Sequence, residues 1–279
     1  MSGFLCSMVG ASFTSIASTS AVAFDGNGDF YTSATNFSGG ASDAGDLIVA
    51  STFFFASNGN SVNDHMFVCQ LGTVGNDSNR GWSIILQSGN IRFARHHPGG
   101  SDTEVLYLDY QGFTQNAYNH FLLYVKPNAS NNANDCKAWI NGVDRSTSLR
   151  TGSAIGGYPL NSNSKTFNWN NTSGSTVRVG AFLSGSGQDS FPDNFEGRIA
   201  QFWATGGTLS APTLSNFYDT ATSRPKDLGT QGTATGLSRP YIYHYGDTTT
   251  FPANNGTGWA SYTLTATGNI ASAAGPTYA

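Results

Sequence analysis

Charge is scarce in this chain. Asp, Glu, Lys and Arg together supply 11 % of its 279 residues, and the formal net charge is −4; an average soluble domain carries about 25 % charged residues. The 13 cations form no basic run. Nucleic-acid binding needs several clustered cations to displace condensed counterions, so nucleic acid is excluded as a partner. Arg92 and Arg95, beside His96 and His97, read as the end of a strand. No apolar stretch approaches the ~20 residues of a membrane helix, so no membrane insertion is expected. Cysteine is nearly missing as well: Cys6, Cys69 and Cys136 are odd in number and share no close spacing. That excludes a disulfide framework and a zinc site, and fits assembly in a reducing cytoplasm. There is no internal repeat and no heptad pattern from which a coiled-coil stalk could be built.

Aromatic residues are what the chain has in quantity. The 19 Phe, 12 Tyr and 5 Trp supply a core despite the low charge, and 34 Gly with abundant Ser, Thr and Asn supply turns. Strand-like runs recur with polar turns between them: AVAFDGNGDFYTS (21–33), LIVASTFFFAS (47–57), HMFVCQLG (65–72), GWSIILQSGNIRFARHH (81–97) and EVLYLDY (104–110). LIVASTFFFAS is apolar on both faces, as a strand covered on both sides would be. Residues 120–144 read as a hairpin followed by a tight Asn141-Gly142 turn, a pair that tolerates the positive φ of a primed turn. Further strands follow at 176–185 and 197–206. One short helix is expected near 210–219, with Ser210 as N-cap and with Leu214, Phe217 and Tyr218 on one face. Many short strands and one helix predict an all-β, antiparallel β-sandwich.

The domain expectation has three parts. Residues 1–20 are an N-terminal docking arm, 21–220 are the sandwich, and 221–279 are a C-terminal extension packed on it. The arm is apolar, but it lacks a basic first region and is broken by Ser2, Gly3, Ser7 and Gly10, which argues against a signal peptide. Phe4, Leu5, Met8, Val9 and Phe13 are the candidate docking contacts, against either another chain or the arm's own domain.

Three motifs in order carry a resemblance. AVAFDGNGDFYTS looks like a first strand and turn. NHFLLYVKP…KAWINGVD looks like a central hairpin, with Tyr118-Asn119-His120 standing where the family has Trp-His-His. FEGRIAQFWATGGTLSAPTLSNFYD looks like a closing strand and helix. Together they resemble the concanavalin A-like lectin/glucanase superfamily, in particular its laminin-G-like jelly rolls, over roughly residues 21–219. The opening MSGFLCSMVGASFT and the segment YHYGDTTTFPANNGTGWASYTLTATG are similar to the ends of laminin-G-type proteins of tailed bacteriophages. That narrower resemblance implies a virion structural or host-attachment protein assembled in the host cytoplasm.

The superfamily includes glucanases, which use two carboxylates about 5 Å apart. Here Glu104 and Glu196 are the only glutamates and are far apart in sequence; Asp102 with Glu104 is the nearest i, i+2 pair and reads as a solvated strand edge rather than a catalytic pair. No enzyme is expected. No cofactor is expected either, calcium being the open possibility: Asp25, Asn27 and Asp29 offer hard oxygen ligands, although turn chemistry explains the same residues. For glycan binding, Trp169 with Asn168 and Asn170 in an Asn-rich loop is the candidate, against simple loop packing. The leading expectation is a non-enzymatic protein on a virion surface, as capsid decoration, cement or head fibre, partnered by other virion proteins and by copies of itself. The alternative is a tail-associated, carbohydrate-binding adhesin that recognises host surface polysaccharide; a glucanase ranks below both.

Overall fold

A computed structural model describes residues 20–33, 46–55, 63–70, 80–87, 90–96, 103–108, 113–126, 136–151, 176–181, 195–257 and 262–279. Two eight-stranded antiparallel sheets form a sandwich. Sheet 1 runs in the order β10 (Val143–Asp144), β9 (Lys137–Ile140), β8 (Tyr118–Val125), β3 (Asp46–Phe55), β13 (Glu196–Gly207), β1 (Ser20–Asp25) and β18 (Ala271–Ala274), with β16 (Ile242–Tyr245) also paired to β13. Sheet 2 runs β11 (Leu149–Thr151), β7 (Thr103–Leu108), β6 (Asn90–His96), β5 (Arg80–Gln87), β4 (Asn63–Gln70), β12 (Thr176–Val179), β2 (Phe30–Ser33) and β17 (Leu264–Thr267). A ribbon of β14 (Tyr218–Asp219) and β15 (Arg224–Pro225) stands apart. The all-β antiparallel sandwich expected from the sequence is the fold observed. No helix among the described residues is long and apolar enough to cross a membrane.

The main core lies between the sheets. Leu47, Val49, Phe53, Phe121 and Leu123 of sheet 1 belong to one buried cluster with Ile84, Phe93, Val177 and Val179 of sheet 2. The other face of β3 is apolar too, and it feeds a second core on the outside of sheet 1. Trp139, Leu122, Ala50, Trp203 and Tyr243 stand in register across five strands there. Phe217 and Leu228, from the segment that follows β13, cover this row. Trp203 is fully buried; its Nε1–H donates to the Gly232 carbonyl at 2.9 Å, and its ring meets Phe217 edge-on at 5.0 Å. The two-faced apolarity of β3 therefore reflects one face against sheet 2 and one against a folded-over segment.

The short helix expected near 210–219 is a single 3-10 turn, Leu214–Asn216, and its start is Thr213 rather than Ser210. Asn216 fixes that turn: its Oδ1 accepts from the Thr213 N–H at 2.8 Å, and its Nδ2 donates to the Thr235 carbonyl at 2.8 Å. Tyr218 then enters the β14–β15 ribbon. Phe217 and Tyr218 are buried by packing on sheet 1 rather than by a helical stripe; tertiary contact overrides the local spacing.

The Asn141-Gly142 turn behaves as the sequence predicts. Both residues have positive φ, 48° and 82°, and Ile140 pairs with Val143 across it. Asn141 also ties the hairpin to β8, its Oδ1 accepting from the His120 N–H at 2.8 Å.

Strand β13 is the spine of sheet 1. Of its twelve residues, 197–199 and 201–207 pair with β3 along one edge. Its other edge is shared: β1 pairs with residues 196–199 and β16 with residues 201–204. The changeover coincides with a bulge between Ile199 and Gln201. The segment beyond residue 220 is woven into both layers, β16 and β18 extending sheet 1 and β17 extending sheet 2.

Candidate functional site

A pocket of about 250 Å³ opens at the changeover, where β1 and β16 meet end to end along β13. Bulges re-aim side chains and interrupt pairing, and are enriched beside functional sites for that reason. Here the bulge presents Gln201 on the outer face of sheet 1, in register with Tyr245 on β16. Gln201 is only 4 % exposed, yet among the described residues its side-chain amide has no protein hydrogen-bond partner. The half-buried Tyr245 lies stacked on Tyr243, ring centroids 5.2 Å apart and planes 15° from parallel, so its orientation is fixed.

Two carboxylates and a tyrosine complete the wall. Gly246, at φ 86°, turns the chain out of β16, and its N–H donates to the Ala200 carbonyl at 3.0 Å. That turn brings Asp247 to the rim, where its Oδ1 accepts from the Thr249 hydroxyl at 2.6 Å and the Thr249 N–H at 3.0 Å. The Thr249 hydroxyl first, then backbone donors, hold this carboxyl below the usual carboxylate range. Asp227 comes from the covering segment, its Oδ1 accepting from the Gly229 N–H at 2.9 Å. Tyr278 comes from the chain end, held where the Ala279 N–H donates to the Pro225 carbonyl at 3.1 Å. The pocket thus offers a rigid aromatic face, a buried amide and two carboxylates. This is the polar set that grips hydroxyl-rich ligands.

The residues singled out in the sequence fall elsewhere. Asp25 and Asn27 are exposed in the turn between β1 and β2, a turn that crosses from sheet 1 to sheet 2. Asp29 is fully buried, and both of its oxygens accept from backbone, Oδ2 from the Asp25 N–H at 2.9 Å and Oδ1 from the Asn269 N–H at 2.5 Å. The Asp25 Oδ1 accepts from the Asn27 N–H at 2.8 Å. Among the described residues no group of three His, Cys, Asp or Glu side chains is placed to hold a metal ion. Trp169, Asn168 and Asn170 lie outside the described residues, as do Asp102 and the docking candidates Phe4, Leu5, Met8, Val9 and Phe13. Glu104 is on β7 in sheet 2 and Glu196 opens β13 in sheet 1. Cys136 is a buried thiol beside the Lys126 backbone.

Sequence reading missed the pocket because its walls come from residues 20, 200–201, 227–230, 245–250 and 278. The only local signal was the run YIYHYGD, whose alternate tyrosines followed by Gly and Asp announce an aromatic face ending in a charged turn.

No family model and no curated protein matches the sequence. Among solved structures, the chain is similar to a native heptameric SAP-like pentraxin from Limulus polyphemus, at 11 % identity and a TM-score of 0.49, over 92 % of this chain and 95 % of that one. It is also similar to the CBM40 of Ruminococcus gnavus IT-sialidase bound to α2,3-sialyllactose, at 13 % identity and a TM-score of 0.42, over 70 % and 94 %. A third similarity is to the receptor-binding domain of botulinum neurotoxin mosaic serotype C/D, at 11 % identity and a TM-score of 0.36, over 68 % and 43 %. The likeness is one of fold alone.

Proposed function

We propose that the protein is a non-enzymatic carbohydrate-binding module of adhesin type, and that it holds its ligand in the pocket at the β13 bulge. One observation carries this reading. A buried amide with no protein partner among the described residues, Gln201, stands in register with the half-buried ring of Tyr245, and carboxylates flank both. A sugar ring stacks through its C–H face on an aromatic ring while its hydroxyls satisfy amide and carboxylate groups, so each element of the pocket has a use. The separation of Glu104 and Glu196 onto different sheets supports the non-enzymatic part.

A glycan array probed with the full chain tests this. Binding is expected to fall at least tenfold in Tyr245→Ala and in Gln201→Ala, with melting temperatures verifying that each variant is folded. Trp169→Ala is expected to bind normally. Loss in Trp169→Ala with retention in Tyr245→Ala would move the site to the Asn-rich loop.

The virion setting is a second reading, supported by the resemblance of both ends of the chain to those of laminin-G-type phage proteins. It places the module on a particle surface, as decoration, cement or head fibre, or on the tail as an attachment protein. A chain lacking residues 1–20 is expected to be left out of assembled particles; normal incorporation would sink the docking role of Phe4, Leu5, Met8, Val9 and Phe13.

A further inference from the structure

The pocket's charge and size say which sugars it takes. We propose that it accepts one uncharged sugar ring and excludes acidic sugars such as uronates and sialates. This rests on the carbohydrate reading of the same pocket.

The two carboxylates are fixed rather than adaptable. Asp227 and Asp247 each commit Oδ1 to their own turn, to Gly229 and to Thr249 respectively. Among the described residues neither Oδ2 has a protein donor, so each carboxylate keeps one acceptor oxygen for a ligand. Sugar hydroxyls are donors and make charge-assisted bonds to such oxygens. A sugar carboxylate brings a further negative charge between the exposed Asp227 and the rim carboxylate of Asp247, and like charges at close range repel.

Among the described residues nothing cationic lines the pocket to offset that repulsion. Lys226, adjacent in sequence to Asp227, turns its ammonium to the Ser215 carbonyl. Asp227 is exposed and Asp247 half-buried, but the charge of both is felt inside the fold. After the larger effect of burial, Asp247 helps push the Tyr31 hydroxyl up to about 12, and Asp227 helps push the Tyr243 hydroxyl up as well. The volume, about 250 Å³, is below the ~300–1,000 Å³ of typical drug-sized ligand sites and suits a single ring or chain end.

Retention on affinity gels at fixed ionic strength separates the possibilities. The probes are two neutral polysaccharides, a β-glucan and a galactan, and two acidic ones, polygalacturonate and polysialate, each run with calcium and with a chelator. The expected result is retention by a neutral probe, with retention by the acidic probes at least tenfold weaker under both conditions. Asp227→Asn keeps the acceptor that holds Gly229 and removes the charge; it should narrow that gap. Equal retention of acidic and neutral probes, lost in Tyr245→Ala, would overturn the charge selectivity while leaving the site in place. Retention by no probe, or retention indifferent to Tyr245→Ala, would overturn the site reading itself.

Discussion

His244 is fully buried on the inner side of β16, and its surroundings dictate its tautomer. The Phe251 carbonyl, 2.8 Å from Nδ1, can only accept, so Nδ1 carries the proton and Nε2 accepts from the Tyr262 hydroxyl at 2.7 Å. Burial pushes this imidazole down to about 4, outweighing the backbone hydrogen bonds that would raise it. His120, buried on β8 against Tyr218, is pushed down to about 3 by burial alone. Both histidines are therefore neutral in the fold and protonate near pH 6.5 once unfolded. Their folded values are depressed, so the stability they confer is complete above pH 6.5 and drains away as pH falls towards 4 and then 3. Urea denaturation midpoints should fall steadily from pH 7 to pH 4.5, above the range in which most carboxylates titrate. A flat midpoint over that window would refute the assignment. Tyr243 gives a second test at this scale. Its hydroxyl is buried with no hydrogen-bond partner among the described residues. An unsatisfied buried hydroxyl costs about 1–3 kcal/mol, so Tyr243→Phe should leave the melting temperature unchanged or raise it. A clear fall would show that the hydroxyl has a partner in solution.

The segment from Leu209 to Pro240 shows what an element without regular structure can hold in place. It contributes one 3-10 turn and a two-by-two-residue ribbon, yet it buries Trp203, Phe217 and Leu228 on the outside of sheet 1. Removing a well-packed Phe side chain costs about 3–5 kcal/mol. Phe217→Ala should therefore lower the melting temperature and make the chain near residues 209–240 sensitive to protease before the sandwich melts. Uniform protection up to global unfolding would mean that this cover is not a separate layer. Gly142→Ala tests the hairpin in the same spirit. Its φ of 82° disfavours any side chain, and a Cβ there would come 2.5 Å from the Tyr218 Cε1. A loss of about 1–3 kcal/mol in chemical denaturation is expected. Elements of this kind divide sharply in how readable they are. The Asn141-Gly142 turn and the β5–β6 pairing are local, set by residues a few positions apart, and the sequence declares them. The helix expected near 210–219 failed because Leu214, Phe217 and Tyr218 have helical spacing but no common burial: Phe217 packs with Trp203, Ala50 and Leu122, Tyr218 lies against His120, and Leu214 stays half-buried, partners that no local pattern reveals.

At the scale of the whole molecule, the C-terminal segment decides whether the sandwich is complete. The apolar runs before residue 220 are enough to announce the sandwich but do not show how it closes. β16 supplies Tyr243 to the outer core and Ile242 to the inner one, β17 borders β2, and β18 borders β1. Asp29, which reads locally as a turn residue, reaches across 240 positions to the Asn269 amide. The pocket has the same origin, since it exists only where β13 changes partner from β1 to β16. A chain ending at residue 220 would uncover Trp203 and Val22 and leave Asp29 facing no donor from the tail. Buried apolar surface of that extent, once exposed, drives aggregation. We expect such a chain to be insoluble, whereas one ending at residue 274 keeps all three strands and should still fold, with a melting temperature lowered by the loss of the buried Tyr278. The shorter deletion still removes Tyr278 and the Ala279-to-Pro225 bond that hold one wall of the pocket. It should therefore lose glycan binding while keeping the fold, as judged by near-ultraviolet circular dichroism and array binding on the same sample. A soluble, folded chain ending at residue 220 would show instead that the sandwich closes without its tail, and that the pocket was added to a domain already complete.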